Sequence, residues 1–130
     1  MSGPRISCTV TPVNHDAAAA FAGQWVKDWN NHDVEAVLAH FADDVVFTSP
    51  LAAQLFPQTG GVMKGKDALR AYWTEGVRRN GALRFELAGV YAGVDTIVIN
   101  YRNEQGAGRC EVLTFDGELV RSGHGTYAGS

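Results

Sequence analysis

Three features of this chain predict an α+β domain. Apolar residues recur at helical spacing in three segments before residue 81, apolar and polar residues alternate in four segments after it, and Asn80-Gly81 supplies a stop between the halves. Helices followed by a strand meander pack as two layers, three N-terminal helices on one face of a curved, mostly antiparallel sheet. At 130 residues, with 45% apolar and 19% charged residues, the chain fits one domain over residues 14–130. Its folding would bury roughly two-thirds of the unfolded surface.

The elements follow in order. Residues 1–13 are polar, hold two prolines and read as a flexible arm. Asn14 caps a helix in which Ala18, Phe21, Ala22, Trp25 and Trp29 form one stripe. A second helix starts after Asp33 and carries Val34, Val37, Leu38 and Phe41 until Asp43-Asp44 interrupts it. Val45–Ser49 is a short strand ended by Pro50. Residues 50–65 show no period and read as a lid or binding loop, with Gly60-Gly61 as a flexible point. The third helix, from Lys66, puts Leu69, Tyr72, Trp73 and Val77 on one face. The strands "LRFELAGVY", "TIVINYRN", "RCEVLTF" and "ELVRSGHGTY" complete the sheet, with a bulge expected at Gly89 and a hairpin turn at Asp116-Gly117.

Composition excludes several functions. The net charge is −3 and the eleven basic residues are scattered, so no nucleic-acid partner is expected. No apolar run is long enough to cross a membrane and the start lacks a signal-peptide core, which makes the cytoplasm the expected location. Cys8 and Cys110 form no disulfide framework, and no metal-ligand spacing appears, so neither metal nor other cofactor is expected. His15, His32 and His40 read as structural or solvated, and Asp43-Asp44 as a helix end.

Glu111 is the residue that asks for an explanation. On a strand, Arg109, Glu111, Leu113 and Phe115 share one face while Cys110 points to the other, so a carboxylate stands among apolar neighbours. With Asp116-Gly117 as the two turn residues, Phe115 faces Glu118, Leu113 faces Val120, Glu111 faces Ser122 and Arg109 faces His124. His124 is then the diagonal neighbour of Glu111, and the two form an acid/base pair in a partly apolar site. The alternative is a structural Arg109–Glu111 ion pair on a wet face with His124 as a surface residue. The pairing depends on loop length, since a one-residue slip sends one strand's side chains to the other face.

The segment "WNNHDVEAVLAHFADDVVFTSP", followed by "GKDALRAYW" and the meander, resembles the nuclear transport factor 2-like superfamily, in particular its SnoaL-like branch. The resemblance implies a cone-shaped fold of the cystatin-like type, a deep apolar pocket between sheet and helices, and a homodimer through the sheet's outer face. The fold hosts many activities, among them ketosteroid isomerases, polyketide cyclases, epoxide hydrolases and dehydratases. Measured against the isomerases, Trp25 and Ser49 stand at the tyrosine and aspartate positions, and Glu111 at the strand carboxylic acid. Arg109-Cys110-Glu111 is similar to the Arg-x-Asp of limonene-type epoxide hydrolases, with Phe47 and Ser49 at their water-holding positions. His124 stands where both hydrolases and cyclases carry a last-strand carboxylate.

A cofactor-independent enzyme of isomerase, hydrolase, cyclase or dehydratase type is therefore expected, acting on an apolar small molecule. Glu111 and His124 would exchange protons, Arg109 would set the charge of Glu111, and Ser49 would orient the reacting group. Trp25, Phe47, Trp73, Tyr101 and Leu113 are the expected ligand contacts, and Trp29, Phe41 and Phe85 are further residues that could line the pocket; ordinary core packing is the alternative for each. A non-catalytic ligand-binding or dimerisation module of the same fold is the competing reading.

Overall fold

Asn14 opens the first helix as its residue type predicts, its side-chain oxygen accepting from the Ala17 N–H at 3.0 Å. The structure, a computed structural model, describes residues 14–129; the arm expected at 1–13 lies outside the described residues. Helix α1 (His15–Asn30) buries Ala18, Ala22, Trp25 and Trp29 on one stripe. Its buried Asp28 is satisfied by Gln24 Nε2 at 2.8 Å and His40 Nε2 at 3.2 Å, so His40 ties α1 to the chain that follows.

Helix α2 (Val34–Leu38) is shorter than its apolar pattern suggests, because Phe41 already belongs to strand β1 (Phe41–Thr48). Asp43 and Asp44 sit exposed inside that strand rather than at a helix end. Phe41, Val45 and Phe47, an even number of residues apart, face the core by strand alternation, and pairing of β1 with its neighbour slips between Phe41 and Val46, where Asp43 of the same parity is exposed.

The segment 50–65 is not a structureless loop. Ser49 caps helix α3 (Pro50–Leu55), with Pro50 at its first position; a 3₁₀ turn follows at Pro57–Thr59, and strand β2 (Val62–Lys64) pairs antiparallel with β1. Each piece is too short to show a period, although the Ser-Pro start is a helix-opening signal. The described residues therefore hold four α-helices, the last being α4 (Lys66–Arg79), which ends at Asn80 as expected.

Strands β3 (Glu86–Ala92), β4 (Thr96–Arg102), β5 (Gly108–Asp116) and β6 (Leu119–Tyr127) complete a curved, open six-stranded sheet in the order β2-β1-β6-β5-β4-β3. All neighbours are antiparallel except β1 and β6, which run parallel. The register slip at Gly89 is present between Leu87 and Gly89. Helix α1 lies along β3 and α4 along β1, so both cover the face that carries Ile97, Ile99, Leu113, Phe115 and Val120, each 5% exposed or less. Among the described residues, no helix is long and apolar enough to cross a membrane.

The last hairpin departs from the expected register. Asp116 pairs with Leu119, which makes Gly117-Glu118 the turn, with Gly117 at φ 65°. Phe115 pairs with Val120 but Thr114 with Ser122, leaving Arg121 as an extra residue on β6. Together these displace the pairing so that Glu111 meets Gly125 and not Ser122, an offset of three residues. The odd offset past the bulge exchanges the faces of β6 from Ser122 onward, while Val120, displaced by an even number, stays inward.

Candidate functional site

That offset decides the composition of the site. The inward side of β6 near Glu111 carries Gly123 and Gly125, whereas Ser122, His124 and Thr126 point outward. His124 pairs with Val112, is exposed, and its Nδ1 lies 2.7 Å from Thr48 Oγ1. The acid/base pair of Glu111 with His124 is thus absent, because the two side chains occupy opposite faces of the sheet. His124→Ala is expected to shift stability by less than ~0.5 kcal/mol, as exposed substitutions do, and to leave ligand uptake unchanged. Urea unfolding and calorimetric titration check both.

The two glycines have a steric reason. A β-carbon at Gly123 would lie 2.7 Å from Phe47 Cδ1, and one at Gly125 would lie 3.1 Å from Glu111 Oε2 and 3.5 Å from Ser49 Oγ. Glycine on the inner face of β6 makes room for the Phe47 ring and for the Glu111 carboxyl. Gly-x-Gly inside a strand is the sequence signal of such a close approach.

Between sheet and helices lies a cavity of about 380 Å³, within the size range of small-molecule sites. Its walls include Trp25, Phe47, Trp73 and Tyr101, as expected, the further candidates Trp29 and Phe85, and also Tyr72, whereas Phe41 lies in the core. Leu113 does not line it; fully buried beneath Gly123 and Phe47, it belongs to the core. The aromatic groups hold one another in place. Phe85 stacks on Trp25 at 5.6 Å between centroids and packs on Tyr101 at 4.4 Å, while Trp73 meets the edges of Trp29 and Phe47 at 5.0 and 5.5 Å.

Glu111 lines this cavity at 8% exposure, with Tyr101 Oη donating to its Oε2 over a long 3.4 Å. Among the described residues it has no ion-pair partner. Desolvation pushes its pKa up to about 8, opposed only by the Tyr101 hydrogen bond, so the carboxyl is mostly protonated at neutral pH. Arg109 does not set that charge. Its guanidinium carbon lies 3.8 Å above the Tyr127 ring and its Nη1 donates to the Gly108 carbonyl at 3.0 Å. Neither the Arg109–Glu111 ion pair nor a charge-setting role for Arg109 is present, because stacking on Tyr127 takes the guanidinium elsewhere.

Ser49 reaches the cavity from the end of β1, but its hydroxyl is engaged. It lies 2.8 Å from Tyr72 Oη and accepts the Leu51 N–H at 3.3 Å as the cap of α3. Burial pushes the Tyr72 phenol well above its ordinary range and the Tyr101 phenol further still, so both remain neutral hydroxyls. The indole Nε1 atoms of Trp25 and Trp29 are buried with no hydrogen-bond partner among the described residues. The polar groups nearest Glu111 are thus its own neutral carboxyl and the hydroxyls of Ser49, Tyr72 and Tyr101, while Arg109, Tyr127, Glu104, Gln54, Asn80 and Asn103 supply the rest of the polar lining. Tyr72 and Tyr127 are not among the residues expected at the site. Tyr72 carries only the helical spacing of a core residue, and Tyr127 lies on the strand whose register differs from the expected one.

The SnoaL-like domain family matches residues 22–122. Among solved structures, a SnoaL-like protein of unknown function from Burkholderia thailandensis E264 is 35% identical, with a TM-score of 0.85, covering 91% of this chain and 99% of that one. A candidate isomerase of the SnoaL-like family from Agrobacterium tumefaciens C58 is 19% identical, with a TM-score of 0.68 and coverage of 86% and 97%. A candidate ketosteroid isomerase from Kribbella flavida DSM 17836 is 17% identical, with a TM-score of 0.67 and coverage of 85% and 77%. These last two share the fold. No curated protein matches the sequence.

Proposed function

Because the chain belongs to the SnoaL-like domain family, we propose that its cavity takes up a planar, largely apolar small molecule and that Glu111 is the single proton-transfer group acting on it. One observation carries this reading: a buried carboxyl with no counter-ion among the described residues faces an aromatic cavity, where desolvation raises its pKa to about 8. As a neutral acid it donates to an acceptor oxygen such as a carbonyl. Its pKa of about 8 lies close enough to physiological pH for the same group to give and retake a proton. Tyr101 and the Ser49–Tyr72 hydroxyl pair stand on the same wall and stabilise charge that develops on that oxygen.

The test uses 2-acetylnaphthalene as the probe. Its affinity is expected to fall as pH rises through 8 in the native protein, since the ionised carboxyl can no longer donate. In Glu111→Gln it is expected to be independent of pH, because the amide keeps a donor. Deuterium entering the acetyl methyl group in D₂O reads proton transfer, in which Glu111 protonates the carbonyl oxygen while solvent takes a methyl proton to give the enol, and reversal in D₂O returns deuterium to the carbon; Glu111→Gln is expected to abolish any excess over buffer. Affinity indifferent to both pH and substitution rejects the role of Glu111.

The position of His124 favours a second reading, in which the same cavity binds its ligand without chemistry. Under that reading the probe still binds with the same pH dependence, but native protein and Glu111→Gln exchange deuterium alike. A homodimer through the outer face of the sheet belongs to this proposal, and light scattering in solution tests it.

A further inference from the structure

We infer that the ligand carries an anionic group, a carboxylate in the first instance, which Arg109 binds while Glu111 holds an acceptor oxygen at the ligand's other end. This rests on the small-molecule reading of the cavity and adds the chemical class of what enters it.

Arg109 lines the cavity and is half-buried, yet it forms no ion pair among the described residues. Tyr127 supports one face of its guanidinium at 3.8 Å, and the Gly108 carbonyl takes one of its five N–H donors. The planar fork is therefore held in position with donors left over, and such a fork matches a carboxylate by two parallel hydrogen bonds. The acidic side chain that shares the cavity wall with it, Glu104, feels the Arg109 charge but forms no ion pair with it: Asn80 Nδ2 donates to Oε2 at 2.9 Å and the Arg84 N–H to Oε1 at 3.3 Å. Glu111, on the same face of β5, carries no charge to neutralise the arginine from within.

Spacing then limits the ligand. Arg109 and Glu111 are two residues apart on one strand, which places their backbones about 7 Å apart on the cavity side. A para-substituted benzene with a carboxylate at one end and a carbonyl at the other spans that distance. Its ring would lie in the aromatic part of the cavity. The class is an aromatic or otherwise flat keto-acid, neither a neutral hydrocarbon nor a cation.

The experiment compares 4-acetylbenzoate with 1,4-diacetylbenzene, its neutral counterpart of similar shape, at about pH 6 where Glu111 is protonated. Affinity is read by calorimetry, and contact with the cavity by the indole N–H signals of Trp25 and Trp29 in NMR spectra. The native protein is expected to bind the acid at least about tenfold more tightly, the difference a charge-assisted pair makes. Arg109→Gln is expected to bring the two compounds to within about twofold, with 1,4-diacetylbenzene unchanged. Unchanged binding of the neutral compound also shows that the variant folds. Equal affinities in the native protein, or a preference for the acid that survives Arg109→Gln, overturn the inference while leaving the cavity reading intact. If neither compound binds or moves the indole signals, the cavity reading fails, and this inference with it.

Discussion

Glu111→Gln is expected to make the protein more stable at neutral pH, although it alters a buried polar group with a hydrogen bond. The native carboxyl has its pKa raised from the ordinary 4.5 to about 8 by burial. Between those two values the unfolded chain has lost the proton and the folded chain has kept it. Stability therefore falls as pH rises from the unfolded value through the folded one, and levels off above it. For a shift of this size the loss is ~2–3 kcal/mol between pH 5 and 7, with roughly 1–1.5 more by pH 9. Glutamine is uncharged throughout, so its variant is expected to lack this slope and to exceed the native protein by a few kcal/mol at pH 7. Urea unfolding of both proteins from about pH 5 to 9 measures it. Parallel profiles would show that Glu111 is hydrated or ionised in the folded state, and the neutral-acid account of the site would fall.

Gly123→Ala is expected to have the second-largest effect, a destabilisation of ~1–3 kcal/mol from overpacking. The added methyl would sit 2.7 Å from Phe47 Cδ1 and 3.0 Å from Leu113 Cδ2. The Phe47 ring has little freedom to retreat, because the edge contacts with Phe41 and Trp73 fix it at 6.5 and 5.5 Å between centroids. A ring that does move goes toward the cavity it lines, so probe binding is expected to weaken together with stability. Phe47→Leu in the alanine background is expected to recover part of the loss, and the cycle of single and double variants measures that coupling. A Gly123→Ala variant as stable as the native protein would show the wall near Phe47 to be loosely packed.

These two sites mark the limit of what could be read from residue types. Asn14 and Gly89 act where their local chemistry predicts, because capping and bulging depend on a few neighbouring residues. The stripe of α1 and the alternation of β4 identify the core for the same reason: helix and strand periods are properties of the backbone. Those patterns carry the α+β class, the inward face of Glu111 and the aromatic character of the wall.

What stands opposite Glu111 is a different kind of fact. Asp116-Gly117 announces a hairpin, yet the turn closes one residue later and Arg121 adds a bulge, so the strands meet three residues out of step. Turn residues supply similar local energies to neighbouring registers. The choice between them is made where β6 packs against β1 and Phe47 fills the space over Gly123. Pairing of Arg109 with Tyr127 in place of Glu111 has the same origin, since Tyr127 comes opposite Arg109 only in the shifted register. The chain alone thus determined its layers, its core and a buried acid. Long-range packing decided that this acid stands with hydroxyls and bare glycine rather than with a histidine, because register is settled by contacts between residues far apart in sequence.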